Sequence, residues 1–195
     1  MNDLFDEPKD ATPLEPDERE GLRQTWITYR HELNEAEQTN IAAGSVWAWR
    51  VRRRDLLTEE FLRQLHRRLF GNVWAWAGEF RRTERNIGIE PVRIPVELKT
   101  AFDDARYWIE HKTFPPDEIA VRLHHRLVAI HPFPNGNGRT TRLMADLVVA
   151  RLGREPFVWG MQNLIDVNET RTEYIAALRT ADNHDIEPLL MFARS

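Results

Sequence analysis

With 195 residues, 42% of them hydrophobic, the chain has the size of one ordinary domain, with or without a small appendage. Lys+Arg number 27 against 31 Asp+Glu, and the resulting net charge of -4 leaves no electrostatic footprint for bulk binding to nucleic acid. The absence of cysteine excludes disulfides and thiolate metal sites, and no apolar run reaches the roughly 20 residues that span a bilayer.

The N-terminus, MNDLFDEPKDATPLEPDERE, is acidic and Pro-rich, the opposite of a secretory signal, so a cytoplasmic location is expected. Residues 1–17 read as a flexible arm. From Pro16 the pattern turns helical. Asp17 is placed to cap a helix running to about Tyr29, and a second helical stretch follows with apolar residues at Leu33, Ala36, Ile41 and Val46. The run Arg50-Val51-Arg52-Arg53-Arg54 reads as a solvated helix face. Thr58 followed by Glu59 and Glu60 predicts another helix start, and Gly71 its end. Trp47, Trp49, Trp74 and Trp76 read as packing anchors. Residues 79–94 are different in kind. Phe80, Ile87, Ile89, Val92 and Ile94 favour strands while Asn86, Gly88 and Pro91 punctuate them, which predicts one small β-hairpin. Helices are then expected at about 96–111, 116–130, 138–152, 167–181 and 185–193, with Gly153 capping the third of these. The fold class is mostly α. It divides into the 1–17 arm, a helical segment over 18–55 and a core over 56–195.

The chemistry concentrates in HPFPNGNGRTTR, residues 131–142. Gly136-Asn137-Gly138 precedes a helix, and such a turn can converge consecutive N–H groups on an anion. The helix start adds unpaired N–H donors and a positive dipole end. Arg139 and Arg142, three apart, share a face of that first turn and present two guanidinium forks. A cation there opposes the dipole by about 0.3–1 kcal/mol, so a bound anion or a facing carboxylate is expected to compensate. His131, just before Pro132, stands where a neutral imidazole can take a proton from an attacking hydroxyl. Phe133 reads as the anchor that buries the loop. His124 and His125 read as structural, because no Cys and no helical His-Glu-x-x-His pattern supports a metal site.

These residues resemble the signature of the Fic (Fido) family, His-x-Phe-x-Asp/Glu-Gly-Asn-Gly-Arg-x-x-Arg, at His131, Phe133, Gly136, Asn137, Gly138, Arg139 and Arg142. LFGNVWAWAGEFR and NETRTEYIAALRTADN resemble flanking segments of the same family, and ELNEAEQTNI is similar to the group called mobile mystery protein B. The resemblance implies a Fic-type helical bundle with a hairpin flap. It also implies a protein adenylyltransferase that moves AMP from ATP, with Mg²⁺, to a Ser, Thr or Tyr hydroxyl of another protein or of its own chain. His131 would be the base and Gly136-Asn137-Gly138 the anion hole, with the Asn137 side chain on a phosphate. Arg139 would hold the α/β-phosphates and Arg142 the γ-phosphate, while the 79–94 flap would pair with the target backbone. Asn135 stands where the family usually carries Asp or Glu, and would be a neutral Mg²⁺ ligand. The resemblance also implies an inhibitory glutamate: Glu37, or else Glu35, would pair with Arg142 and occupy the γ-phosphate site. De-AMPylation, another nucleotide donor, and a non-catalytic nucleotide-binding or toxin–antitoxin-type module are the alternatives. On the last of these His131 would have no use.

Overall fold

A computed structural model describes Leu4 and residues 15–51, 55–160 and 167–195 of the chain. The expected arm therefore lies largely outside the described residues, as do Arg52–Arg54 of the basic run. The first described element is a single helical turn, α1 (Pro16–Arg19). It does not run on to Tyr29 as the sequence predicts. The backbone of residues 21–23 is instead engaged with the 73–75 loop, Arg23 N–H donating to Val73 O (2.8 Å) and Ala75 N–H to Gly21 O (2.8 Å). The Leu22–Trp74 bridge formed there is the one strand-like pairing among the described residues.

Helix α2 (Arg30–Arg50) begins where the Glu32 carboxylate accepts from the N–H groups of Thr28 and Tyr29, at 2.9 and 3.0 Å. Its inward face is Leu33, Asn40, Gly44 and Ala48, while Val46 and Trp49 face outward. Small and polar residues let it lie close on α3 (Glu59–Phe70). A Cβ on Gly44 would fall 2.5 Å from Arg68 O. Asn40 donates to Arg68 O (2.9 Å) and accepts from Asn72 N–H (2.8 Å). Helix α3 starts as its sequence predicts, with Thr58 Oγ1 accepting from Phe61 N–H at 3.1 Å, and its stripe of Phe61, Leu62, Leu65, Leu69 and Phe70 is buried.

The segment between α3 and the next helix carries no strand; after it a 3-10 turn at Pro91–Arg93 leads directly into α4 (Ile94–His111). The expected hairpin is absent for a definite reason. The carbonyls of Thr83 and Ile89, which a hairpin would spend on cross-strand pairing, accept from the Arg81 guanidinium. The bundle is completed by α5 (Pro116–Ile130), α6 (Asn137–Arg151), α7 (Val167–Asp182) and α8 (Glu187–Arg194). Gly153, at φ +81°, closes α6 by donating to Ala150 O at 3.1 Å. The core lies where α5 and α6 pack on each other, flanked by α4, α3 and the α7–α8 pair. The loop joining α5 to α6 is thereby set into the bundle and carries residues 131–136.

Candidate active site

The α5–α6 loop is buried from Ile130 to Pro134 and again at Gly136 and Asn137. Phe133 is fully buried and stacks on His66 of α3, ring centroids 3.8 Å apart, as expected of an anchor. His66 also fixes the backbone: its Nδ1 accepts from Gly78 N–H (2.9 Å) and its Nε2 lies 3.0 Å from Asn135 O. One neutral tautomer satisfies both contacts, with Nε2–H donating to Asn135. Burial holds the His66 pKa down to about 3 and keeps that tautomer in place. The sequence reading missed His66. The available signal was its position on the apolar stripe of α3, between Leu62, Leu65 and Leu69.

His131 ends α5 in the left-handed conformation (φ 53°, ψ 61°), a region non-glycine residues seldom occupy. Pro132 bars the helical region, and the chain turns out of α5 through that conformation. The imidazole is almost fully buried. Desolvation, followed by the nearby Arg81 charge, pushes its pKa down to about 4, against a backbone hydrogen bond with Val128 that raises it. His131 is therefore neutral near pH 7 and able to accept a proton.

Gly136 takes φ +75° at the head of α6, where a Cβ would strike the Phe70 ring at 2.6 Å. Gly138 lies in the first turn with no such demand on it. A Cβ there would meet only Tyr174 Oη, at 3.9 Å. The N–H groups of this first turn have no partner within the helix.

The side chain of Asn137 turns inward. Its Oδ1 accepts from Phe133 N–H (2.9 Å) and its Nδ2 donates to Phe133 O (2.8 Å), so it shapes the loop and does not reach outward to a phosphate. Asn135 Oδ1 accepts from Gly136 N–H at 2.6 Å and lies 3.5 Å from Arg139 Nη2. Both acceptor positions of that oxygen are engaged, one by a cation, and this fits a Mg²⁺ ligand poorly. No cluster of three or more His, Asp or Glu suited to a metal ion occurs among the described residues.

Glu37, half-buried on α2, reaches the motif. Its Oε2 pairs with Arg139 Nη1 at 2.8 Å and its Oε1 accepts from Trp74 Nε1 at 2.8 Å. Glu35, the fallback, is exposed. The carboxylate meets the first motif arginine, not Arg142 as the resemblance implied. Arg142 is drawn the other way: its Nε donates to Gly138 O (3.3 Å) and its guanidinium lies 5.4 Å from the centre of the Tyr174 ring. Arg139 in turn rests over Phe70, 4.7 Å from the ring centre.

His124 is buried with Nε2 3.0 Å from Tyr174 Oη, and His125 pairs with Asp182 at 2.8 Å, so each has a structural partner. Tyr174 of α7 packs on the motif side, with its Oη 3.9 Å from where a Cβ on Gly138 would stand. A cleft of about 660 Å³ between α2, α3 and the 71–79 loop is lined by Arg23, Arg67, Arg68, Trp47 and Trp74. None of the motif residues lines it, so the side-chain chemistry and not this cleft locates the site.

The chain is similar to known proteins over most of its length. The sequence model of the Fic/DOC family matches residues 56–149. The protein adenylyltransferase Fic of Aedes aegypti is 32% identical over 165 residues, 83% of this chain and 32% of that protein. The protein adenylyltransferase fic-1 of Caenorhabditis elegans is 32% identical over 146 residues, 71% of this chain and 27% of that one. The chain thus spans about a third or less of the length of these curated relatives. The solved Caenorhabditis elegans Fic-1 superposes with a TM-score of 0.63 at 31% identity, covering 80% of this chain and 48% of that one. The N-terminal Fic domain of a Bartonella quintana cell filamentation protein, solved with bound ADP, has a TM-score of 0.70 at 18% identity over 90% of this chain and 93% of that one, a likeness of fold.

Proposed function

Because the chain belongs to the Fic/DOC family through its domain at residues 56–149, we propose that it is a protein adenylyltransferase held in a self-inhibited state. The observation that carries the reading is a buried, neutral His131 set in one loop with a left-handed Gly136 and the open first turn of α6. In this reading ATP, arriving as its Mg²⁺ complex, lays its phosphates over Gly138 against the free N–H groups of α6 and the guanidinium of Arg139. Arg142 swings from Tyr174 to the terminal phosphate. His131 takes the proton of a target Ser, Thr or Tyr hydroxyl as its oxygen attacks the α-phosphorus in line. The bond to the β-phosphate oxygen breaks and pyrophosphate leaves. Bringing the triphosphate close raises the His131 pKa above its resting value and so strengthens it as a base. Asn135 serves to hold Gly136 and Arg139 and is not assigned to the metal.

The protein target docks along the exposed run Asn86–Gly88, which lies beside His131; a Cβ on Gly88 would come within 2.7 Å of His131 Cβ. Backbone pairing there would bring a hydroxyl to the base without reading much target sequence. Glu37 supplies the inhibition. Clamped between Trp74 and Arg139, it neutralises the cation that would hold the α/β-phosphates.

The test is labelling with ATP carrying the label on the α-phosphate, followed by intact-mass analysis. Glu37→Gly is expected to raise self-labelling several-fold over wild type, and His131→Ala in the same background to abolish it. Equal labelling by wild type and Glu37→Gly would remove the inhibitory assignment. Labelling that survives loss of His131 would remove the catalytic one.

A further inference from the structure

The left-handed backbone of His131 needs an agent to hold it, and one buried side chain outside the motif is placed to do so. We propose that Arg81 is a positioning residue for the general base, a clamp that ties the flap segment to the end of α5 and thereby fixes the orientation of His131.

The end of a helix leaves carbonyl groups without intrahelical partners. At the end of α5 three consecutive carbonyls, 130 to 132, are all held from the 80–90 segment. Arg81 Nε donates to His131 O at 2.7 Å, Arg81 Nη2 to Ile130 O at 3.4 Å, and Arg81 N–H to Pro132 O at 2.9 Å. Ile89 N–H adds a 3.4 Å contact to Ile130 O. The same guanidinium binds the flap to itself, Nη1 to Thr83 O at 2.9 Å and Nη2 to Ile89 O. Arg81 is 2% exposed, so these carbonyls are its solvent. A guanidinium is the one side chain with enough donors, in a rigid planar fork, to serve four carbonyls at once. Its positive charge also suits the negative end of the α5 dipole. Gly88 completes the clamp. At φ +101° it passes with its α-carbon side against Arg81 Nη2 and His131 Cβ, where a Cβ would stand 2.7 Å from each. The flap and the base therefore move as one unit, and a target held along Asn86–Gly88 inherits a fixed distance to His131.

The charges around this unit come from the flap and its cover. Arg81 and Arg85 both face His131, Glu84 faces Arg81, and Arg85 is in turn paired with Glu15 (2.7 Å) and Glu18 beside α1. Arg139 and Arg142 belong to α6, on the phosphate side of the loop. Removing Arg81 should therefore disturb the base and the target edge and leave nucleotide binding intact.

This inference rests on the adenylyltransferase reading, and the experiment separates the two. In the Glu37→Gly background, Arg81→Gln and Arg81→Lys are compared for kcat and KM for ATP, and the His131 ring is titrated by NMR in each. For Arg81→Gln a loss of roughly 100-fold in kcat is expected, the scale of a misplaced reacting group, with KM for ATP within about twofold of the parent and an upward shift of the His131 titration. Arg81→Lys keeps the charge and part of the donor set, so it should recover much of kcat and leave the titration near the parent value. An increase of KM for ATP in step with the fall of kcat, or a lysine variant no better than glutamine, would overturn the assignment. Should Arg81→Gln not fold, Arg81→Lys alone still decides: a changed KM with unchanged kcat refutes the clamp. If the Glu37→Gly parent itself shows no transfer, the adenylyltransferase reading falls while the NMR titration still reports on Arg81.

Discussion

Gly138 shows how a single residue separates ligand chemistry from packing. Glycine in a helix costs about 1 kcal/mol relative to alanine. Nothing in the surrounding protein requires that cost, since a Cβ would find only Tyr174 Oη at 3.9 Å. Gly136 is the contrast, forced by its positive φ and by Phe70. In the proposed function the glycine keeps the backbone there clear for an approaching phosphate. Gly138→Ala is therefore expected to leave stability unchanged or raise it by about 0.5–1 kcal/mol, while weakening ATP binding. Thermal denaturation and titration calorimetry on the same variant check both halves, and tight ATP binding by the alanine variant would refute the assignment.

At the scale of elements, the Glu37–Arg139 contact, proposed above as inhibitory, depends on how α2 is seated. Glu37 reaches Arg139 because Asn40 and Gly44, one and two turns further on, hold α2 against the end of α3. Asn40→Ala would leave the Arg68 carbonyl and the Asn72 N–H without their partner, at a cost of about 1–3 kcal/mol. Its expected signature is a lowered melting temperature together with raised self-labelling. Placed on top of Glu37→Gly, the same substitution should add no further labelling, because the contact it loosens is already gone. Additive gains would mean that α2 restrains the site by some other route. The paired α1–Arg85 contacts restrain the flap from its far side, and Arg81 from within.

For the whole molecule, the buried histidines set the response to acid. His66 and His124 have pKa values pushed down to about 3 and His131 to about 4, each chiefly by burial. The unfolded chain, with histidine near 6.5, then binds more protons than the folded one between those values, so stability falls as pH drops below 6.5. At pH 5 each costs about 2 kcal/mol. Asp146, raised to about 6 by burial, acts in the opposite sense and gains stability as pH falls through 6. One carboxyl against three imidazoles leaves a net loss on the order of 4 kcal/mol from pH 7 to pH 5. Denaturant midpoints that stay level across that range would contradict this balance. No helix among the described residues is long and apolar enough to cross a membrane.

Read by itself, the sequence determined the helical class, the positions of α2 to α8 to within a few residues, the Thr58 cap, the Phe133 anchor and the motif from His131 to Arg142. These follow from local rules: hydrophobic spacing, capping side chains and turn residues act over a few neighbours and are written in order along the chain. Tertiary structure decided the rest. It brought Glu37 to Arg139 across 102 positions, turned Asn137 onto Phe133, replaced an expected hairpin by an arginine-held segment, and put His66 under Asn135. Each of these is a hydrogen bond or ion pair formed by a polar side chain turned inward, and the Glu37–Arg139 and His66–Asn135 contacts join residues far apart in sequence. Which of several arginines or glutamates goes inside depends on which carbonyl or cation awaits it there, and that is known only once the helices have packed.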